Sequence, residues 1–229
     1  MTLTLFYHPL ASFCHKVQIA LYEAGTPFDA RIVDLMDPGE HSRFLDLWPV
    51  GKIPVLHDSD RNETVPETSI IIEYLDQHYP GADPMLPADP EIGLKARLWD
   101  RFFDLYAQDP MQRIVFDTFR PEGKKDSVGV ADAEQRLMTA YAMIEKQAAE
   151  KTWIVGERFS IADCSAAPAL FFAGIIVPFQ SNQLALRAYF ERLLERPSFR
   201  RVLVEALPYF DMFPFRHKMP DRFLSLSDA

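Results

Sequence analysis

The sequence predicts an α/β N-terminal domain followed by an all-α C-terminal domain, and three observations lead to that prediction. Before residue 80, segments with strand-like alternation take turns with segments of helical spacing. The stretch YPGADPMLPADP (79–90) has four prolines in twelve residues, a density that excludes regular helix and favours an extended connection. After residue 90 the apolar spacing is helical. We therefore expect domains at 1–80 and 91–229, joined by a proline-rich linker at 81–90.

In the first domain, the predicted elements follow the order strand, helix, strand, helix, hairpin, helix. The extended run LTLFY gives way near Ser12 to a helical pattern in which Cys14 and Leu21 share one face, and Gly25 is a typical stop signal. The alternating run FDARIVDL predicts the second strand, and a polar helix is expected at 40–47. IPVLHD and ETVPE flank the polar turn SDRN, which predicts a hairpin before the last helix.

The second domain is expected to begin at Asp89 and Pro90, which are typical of an N-cap and a first-turn proline. The first helix is expected to reach Leu105, and Pro110 is expected to bend or break the helical run. The aromatic tail at 207–226 is expected to pack back on the body, because a disordered tail would hold few aromatic residues. Further helices are predicted at about 111–119, 128–150, 160–176, 183–195 and 197–206.

Composition and charge exclude several classes of function. The chain has 229 residues and is 48% hydrophobic, which is sufficient for a packed core. A net charge of −9 and a pI near 5.1 argue against binding nucleic acid or an anionic membrane, because either partner requires a cationic face. No apolar run is long enough to cross a bilayer and no signal-peptide pattern is present, so we expect a soluble cytoplasmic protein. Cys14 and Cys164 are far apart and lie in no Cys/His cluster, which predicts reduced thiols and no metal site.

The segment GKIPVL places a proline at the start of a predicted strand. Proline removes a hydrogen-bond donor from the strand ladder, so its presence requires a reason. One interpretation of Pro54 is an edge strand or a plain turn. The other is a cis Ile53–Pro54 bond, which turns the N–H and C=O of Ile53 outward to pair with another extended peptide.

The segment VPETSIIIEYL marks a junction between a strand and an apolar helix. Glu67, Thr68 and Ser69 stand at this junction, so backbone amides and a hydroxyl point beyond the helix start. One interpretation is helix capping alone. The other adds an anion bound at the helix start and a cation held by Glu67. A ligand with a free amino acid end carries both charges.

These motifs, in this order, resemble those of cytosolic glutathione transferases, nearer the serine-type members. The matching elements are Ser12 near the first helix start, KIP with Pro54 as the cis-proline, PETS with Glu67 and Thr68, the proline-rich linker, the helical second domain, and FSIADCSAAP, where Ser160 and Asp163 have capping-box spacing. The resemblance covers nearly the whole chain. It implies a thioredoxin-like first domain with a mixed four-stranded sheet that binds glutathione, a helical second domain that supplies a hydrophobic pocket, and a homodimer.

The resemblance also implies roles for individual residues in binding glutathione as a co-substrate. Ile53 would pair through its backbone with the cysteinyl part, and Glu67 and Thr68 would hold the γ-glutamyl end. Lys52 is placed to meet the glycyl carboxylate, with His41 as a second candidate for the same carboxylate. The alternative for Lys52 is an ordinary surface lysine.

A transferase of this kind must stabilise the glutathione thiolate. A free thiol has a pKa of about 8.5 and is mostly protonated at neutral pH. Serine-type members carry the catalytic hydroxyl at the position of Ala11, so this chain departs from the family pattern. The candidates are Ser12, which is also a competent N-cap, Tyr7, which stands where tyrosine-type members carry their phenol, and backbone amides alone. Cys14 shares its helix face with apolar residues and is predicted to be a core residue.

The resemblance places the electrophile pocket on the aromatic segment 99–121. Its candidate lining residues are Phe103, Tyr106, Met111, Arg113 and Phe116. Asp100 or Asp104 is expected to reach across a dimer interface toward the γ-glutamyl ammonium. We expect a glutathione transferase that attacks a small hydrophobic electrophile, and glutathione-dependent isomerases, dehalogenases and peroxidases share the same half-site. The alternative is a non-catalytic binding or regulatory protein, which Ala11 favours and the intact glutathione-site residues oppose.

Overall fold

The computed structural model describes residues 2–226, and its N-terminal domain is built on one mixed four-stranded sheet. The strands are β1 (Leu3–Tyr7), β2 (Asp29–Ile32), β3 (Val55–Asp58) and β4 (Glu63–Pro66). Their order in the sheet is β2, β1, β3, β4, with β1 parallel to β2 and antiparallel to β3. The hairpin β3–β4 completes the sheet. The thioredoxin-like arrangement expected from the sequence is confirmed.

Three helices cover the two faces of this sheet. They are α1 (Ser12–Ala24), α2 (Pro38–Leu47) and α3 (Thr68–His78). One core cluster joins β1 to α1 and α3, and Cys14 is fully buried in it, as predicted. A second, smaller cluster packs Phe44 of α2 against Val55 of β3. The α1 helix ends at Gly25, whose φ of 63° is the left-handed conformation that glycine adopts most readily.

The C-terminal domain is helical, as predicted. Its helices are α4 (Pro90–Phe102), α5 (Asp109–Thr118), α6 (Ser127–Ala148), α7 (Ile161–Ile176), α8 (Leu184–Glu195) and α9 (Pro197–Ala206). The Asp89 side chain accepts hydrogen bonds from the amides of Glu91 and Ile92, which confirms it as the N-cap of α4. The bend or break expected at Pro110 does not interrupt the helical run. A π-helical segment, Phe103–Gln108, links α4 to α5 without interruption and leaves Pro110 in the first turn of α5.

Helix α7 lies at the centre of the C-terminal domain, and its start is held by a buried carboxylate. Asp163 accepts hydrogen bonds from the Ser160 amide at 2.9 Å and the Tyr189 hydroxyl at 2.7 Å, which confirms the predicted pairing of Ser160 with Asp163. Burial raises the pKa of Asp163 to about 6. The tail also behaves as expected, since Phe210, Phe213 and Phe223 are all buried.

No helix within residues 2–226 has the length and apolar content needed to cross a membrane. The last helix of the sheet domain ends at His78, and α4 begins at Pro90. The division at 1–80, 81–90 and 91–229 stays a prediction.

Candidate functional site

A cavity of about 470 Å³ lies between the two domains. The N-terminal domain contributes the loop between β1 and α1 and the loops that precede α2 and β3. The C-terminal domain contributes α5, Phe172 of α7, and the tail residues Met212, Phe213 and Pro214. The tail therefore packs over the cleft between the domains. A cavity between a loop-rich wall and an apolar helical wall can hold a polar ligand beside an apolar one.

Ser12 lies on the wall of this cavity as the first residue of α1. The preceding residue, Ala11, is the N-cap, so the interpretation of Ser12 as an N-cap is wrong. The Ser12 side chain is instead directed toward the other domain, where its hydroxyl accepts a hydrogen bond from the Gln108 amide. It also stands at the positive end of the helix dipole, where an anion is stabilised.

Tyr7 does not line the cavity. It is only 7% exposed and belongs to the core cluster of the N-terminal domain. Burial, and after it the nearby Glu205 and Tyr209, raise the pKa of Tyr7 to about 12. The structure therefore places Ser12, and not Tyr7, against the cavity.

His8 lines the cavity, and sequence reasoning missed it. The Leu10 amide donates to His8 Nδ1 at 3.1 Å, so the proton of the neutral ring is on Nε2. Burial lowers the pKa of His8, and Asp34 opposes that effect. Nε2 has no hydrogen-bond partner in the part of the chain that the structure describes. His8 thus lies on the cavity wall with its ring proton on Nε2, and its place directly after the first strand was the available signal.

Lys52 and Ile53 lie on the same wall, which brings two predicted glutathione contacts beside Ser12. The Ile53–Pro54 bond is cis, as one of the two interpretations predicted. His41 lies outside the lining. Its Nε2 nevertheless lies near Gly51, the residue before Lys52. A Cβ atom added to Gly51 would be 3.3 Å from that nitrogen.

Glu67 and Thr68 lie outside the cavity lining, at the adjoining end of the hairpin. The strand register pairs Val55 with Pro66, which places Glu67 beside Pro54. Glu67 is exposed and has a φ of 68°, a left-handed conformation that a non-glycine residue seldom adopts. Thr68 is buried as the first residue of α3. These two residues therefore continue the wall formed by Lys52 and Ile53, and their role in binding glutathione stays a prediction.

Of the five residues predicted to form an electrophile pocket, two lie on the cavity wall. Met111 and Phe116 line the cavity, but Phe103, Tyr106 and Arg113 do not. Phe103 is fully buried in the core, Tyr106 lies half exposed against Phe102, and Arg113 pairs with Asp126 at 3.4 Å. The lining residues that the sequence prediction missed are Gln112 and Val115 on α5 and Phe119 directly after it. Their spacing of three and four residues from Met111 and Phe116 was the signal for one helix face.

Asp100 and Asp104 are buried against Lys16 of the other domain. Lys16 Nζ lies 2.7 Å from the Asp100 carboxylate and 2.8 Å from that of Asp104. Ser69 Oγ donates to Asp100 at 2.6 Å. All three charged groups are buried between the domains, so the expectation that either aspartate crosses a dimer interface is wrong.

Comparison with known proteins gives consistent results for both domains. The model of the glutathione S-transferase N-terminal domain matches residues 11–78, and that of the C-terminal domain matches 107–197. A stringent starvation protein A homolog from Pasteurella multocida is 29% identical, over 90% of this chain and 92% of the relative. FtsZ-localized protein A from Caulobacter vibrioides is 27% identical, with the same shares covered. A glutathione S-transferase from Methylobacillus flagellatus KT, solved with GSH bound, aligns with a TM-score of 0.79 and 25% identity, over 87% of this chain and 98% of that one.

Proposed function

Because the chain belongs to the glutathione S-transferase family, we propose that it binds glutathione and activates the thiol as a thiolate that attacks a small hydrophobic electrophile. The observation that carries the proposal is the position of Ser12. This residue starts α1 on the wall of a cavity whose opposite wall is apolar. A thiolate held at Ser12 would therefore face the space where an apolar electrophile fits.

The groups at the start of α1 can supply the free energy needed to stabilise the glutathione thiolate. Lowering a thiol pKa from about 8.5 by two units requires about 2.7 kcal/mol of preference for the anion. A helix N-terminus contributes up to about 2 kcal/mol in a partly buried site, and a hydrogen bond to a charged group about 1.5 to 3. The Ser12 hydroxyl and the α1 dipole together are sufficient, so no general base is required.

In the proposed complex, glutathione lies along the N-terminal wall. The backbone of Ile53 pairs with the cysteinyl part, Lys52 meets the glycyl carboxylate, and Glu67 and Thr68 hold the γ-glutamyl end. The hairpin register supports this arrangement, because Val55 pairs with Pro66 and Glu67 therefore lies beside Pro54. No step of the proposed reaction requires a metal.

The proposed chemical step is nucleophilic. The thiol gives its proton to water, the sulfur forms a bond to the electrophilic carbon, and the leaving group departs with its bonding electrons. The wall facing Ser12 includes Met111, Val115, Phe116 and Phe172, which favour an apolar, uncharged electrophile. Arg113 pairs with Asp126 at 3.4 Å and does not line the cavity.

We also propose a homodimer and a cytoplasmic location. Helix α4 leaves Leu94 and Leu98 each 63% exposed, and Ile70 of α3 is 55% exposed. Apolar side chains exposed on neighbouring helices are typical of a protein interface. Cys14 and Cys164 are both free and buried, a state that a reducing compartment preserves.

A second candidate is a glutathione-transferase-like binding protein without turnover. The names of the two relatives above, a stringent starvation protein A homolog and an FtsZ-localized protein A, state no catalytic activity. The alanine at position 11, where serine-type transferases carry their hydroxyl, supports the same candidate.

Titration with glutathione at several pH values, followed by binding heat and by thiolate absorbance, separates the two candidates. We expect binding with an apparent thiol pKa well below about 8.5. S-methylglutathione, which has no ionisable thiol, is the matched control for absorbance. Binding with an unshifted thiol pKa would favour the non-catalytic candidate. No binding at millimolar glutathione would contradict the enzyme and the glutathione site together.

A further inference from the structure

Helix α1 packs antiparallel against the continuous helix formed by α4 and the π-helical segment Phe103–Gln108. Ser12 contacts Gln108, and four residues further along α1, Lys16 contacts Asp104, four residues earlier on the other helix. Residues four apart lie on the same helix face, so these two contacts form one seam between the domains. The Lys16 contacts are buried and charged, and they therefore fix the position of Gln108 relative to Ser12.

Gln108 is 2% exposed, and its amide has one orientation that the surroundings favour. Its Nε2 donates to Ser12 Oγ, whereas its Oε1 is buried without a hydrogen-bond partner among the described residues. Reversing the amide would leave the nitrogen, with its two N–H donors, in the position that has no partner. Each unpaired buried donor costs free energy, so the orientation in which Gln108 donates is the more stable one.

This donation determines what the Ser12 hydroxyl can do. A serine hydroxyl has one proton and two lone pairs, and Gln108 occupies a lone pair. The proton therefore remains free to donate into the cavity. An oxygen that accepts a hydrogen bond is also a stronger donor through its own O–H.

We propose that Gln108 is a positioning residue that holds the Ser12 hydroxyl as a donor to the glutathione thiolate, so that the C-terminal domain sets the thiol pKa in the N-terminal domain. This inference rests on the proposed function, since it requires a thiolate at Ser12. Gln108 does not line the cavity and touches no ligand there. Its effect is exerted through Ser12 alone.

The test is the thiol pKa of bound glutathione in two variants of Gln108. Gln108→Met keeps the length of the side chain and removes the donor, and we expect the thiol pKa to rise by about one unit. Gln108→Glu keeps the shape but offers a carboxylate that accepts the Ser12 proton, and we expect a larger rise. The double variant Ser12→Ala/Gln108→Met is expected to match Ser12→Ala alone, because Gln108 acts only through Ser12.

Three controls separate positioning from a structural effect. Gln147→Met removes a comparable donor, to the Ile154 carbonyl at 2.7 Å, and is expected to leave the thiol pKa unchanged. The Kd of S-methylglutathione is expected to change less than about twofold in both Gln108 variants, since no thiolate is involved. Thermal unfolding reports any loss of stability independently of the thiol.

The possible outcomes distinguish this inference from the proposed function. An unchanged thiol pKa in both Gln108 variants, with a raised pKa in Ser12→Ala, would overturn the role of Gln108 and leave the proposed function standing. A lower melting temperature without a change in thiol pKa would do the same. An unchanged pKa in Ser12→Ala would overturn the role of Gln108 and assign activation to the backbone amides. Absence of glutathione binding in the unmodified protein would overturn both proposals.

Discussion

The ammonium group of Lys16 lies 2.8 Å from the carboxylate of Asp104, and both side chains are buried where the two domains meet. Asp100 lies 2.7 Å from the same ammonium, so two carboxylates share one buried cation. Burial raises the pKa of Asp104, while Lys16 opposes that rise and Asp100 adds to it. The cluster joins α1 to α4 directly beside the helix start that carries Ser12.

Removing the cation is expected to destabilise the protein strongly. Lys16→Met leaves Asp100 buried without a counter-charge and leaves Asp104 with only the half-exposed Arg101, 3.9 Å away, and breaking a buried pair in this way costs about 3 to 5 kcal/mol. Urea unfolding at neutral pH measures this loss. Because burial raises the pKa of Asp104, its carboxylate is protonated as the pH is lowered, and the loss is expected to shrink in that direction.

Arg97→Met is the matched control for that measurement. Arg97 pairs with Glu73 at 2.9 Å between the same two domains, but its side chain is 48% exposed. Its removal is expected to cost less than about 1 kcal/mol. Equal losses in the Lys16 and Arg97 variants would contradict the importance of burial.

Ser12→Ala is expected to raise the thiol pKa of bound glutathione by about one to two units, because a hydrogen bond to the thiolate is lost. Tyr7→Phe is expected to leave it unchanged, since Tyr7 is buried away from the cavity. Thiolate absorbance against pH measures both. A shift in the Tyr7 variant and none in the Ser12 variant would reverse the assignment.

Lys52→Met is expected to weaken glutathione binding about tenfold, because it removes one charge-assisted hydrogen bond that contributes about 1.4 kcal/mol. Calorimetry with γ-glutamylcysteine, which has no glycine residue, provides the control. That ligand is expected to bind the variant and the original protein equally. A similar loss for both ligands would show that Lys52 does not contact the glycyl carboxylate.

His15 is expected to make the protein less stable in mild acid. The ring is fully buried against Phe172, Nε2 contacts the Pro9 carbonyl, and Nδ1 has no partner in the described chain. Burial lowers the pKa of His15 from 6.5 to about 4, with the Pro9 contact raising it and His8 lowering it. Between these two pH values the unfolded chain binds a proton that the folded protein does not, so stability falls as the pH is lowered from 6.5 to 4.

The size of this effect is measured by comparison with a variant. The original protein is expected to lose about 3 kcal/mol of unfolding free energy as the pH falls between these two values. Replacing His15 with methionine is expected to abolish that loss, independently of any change in stability at neutral pH. Urea unfolding at both ends of the range gives the difference in slope. His217→Gln removes an exposed histidine and is expected to keep the original slope. Equal slopes in the His15 variant and the original protein would contradict a neutral buried ring.

Local sequence patterns were sufficient for most of the fold and for one wall of the site. The strand and helix order, the N-cap at Asp89 and the cis-proline at Pro54 depend on residues near each other in the chain, so spacing and residue type identify them. Lys52 and Ile53 were found for the same reason, since a short motif contains them. The apolar wall of the cavity was only half predicted, because helical spacing shows which residues share a face but not which face meets the other domain.

The family resemblance, the two-domain type of fold and the helix start at Ser12 could be predicted from the chain alone, because each depends on local spacing. What these groups contact depends on the packing of the two domains. Ser12 meets Gln108 across 96 positions of sequence, and Lys16 meets Asp104 across 88. Such contacts depend on how two separately formed domains pack, and burial between those domains then sets the strength of each charge and hydrogen bond.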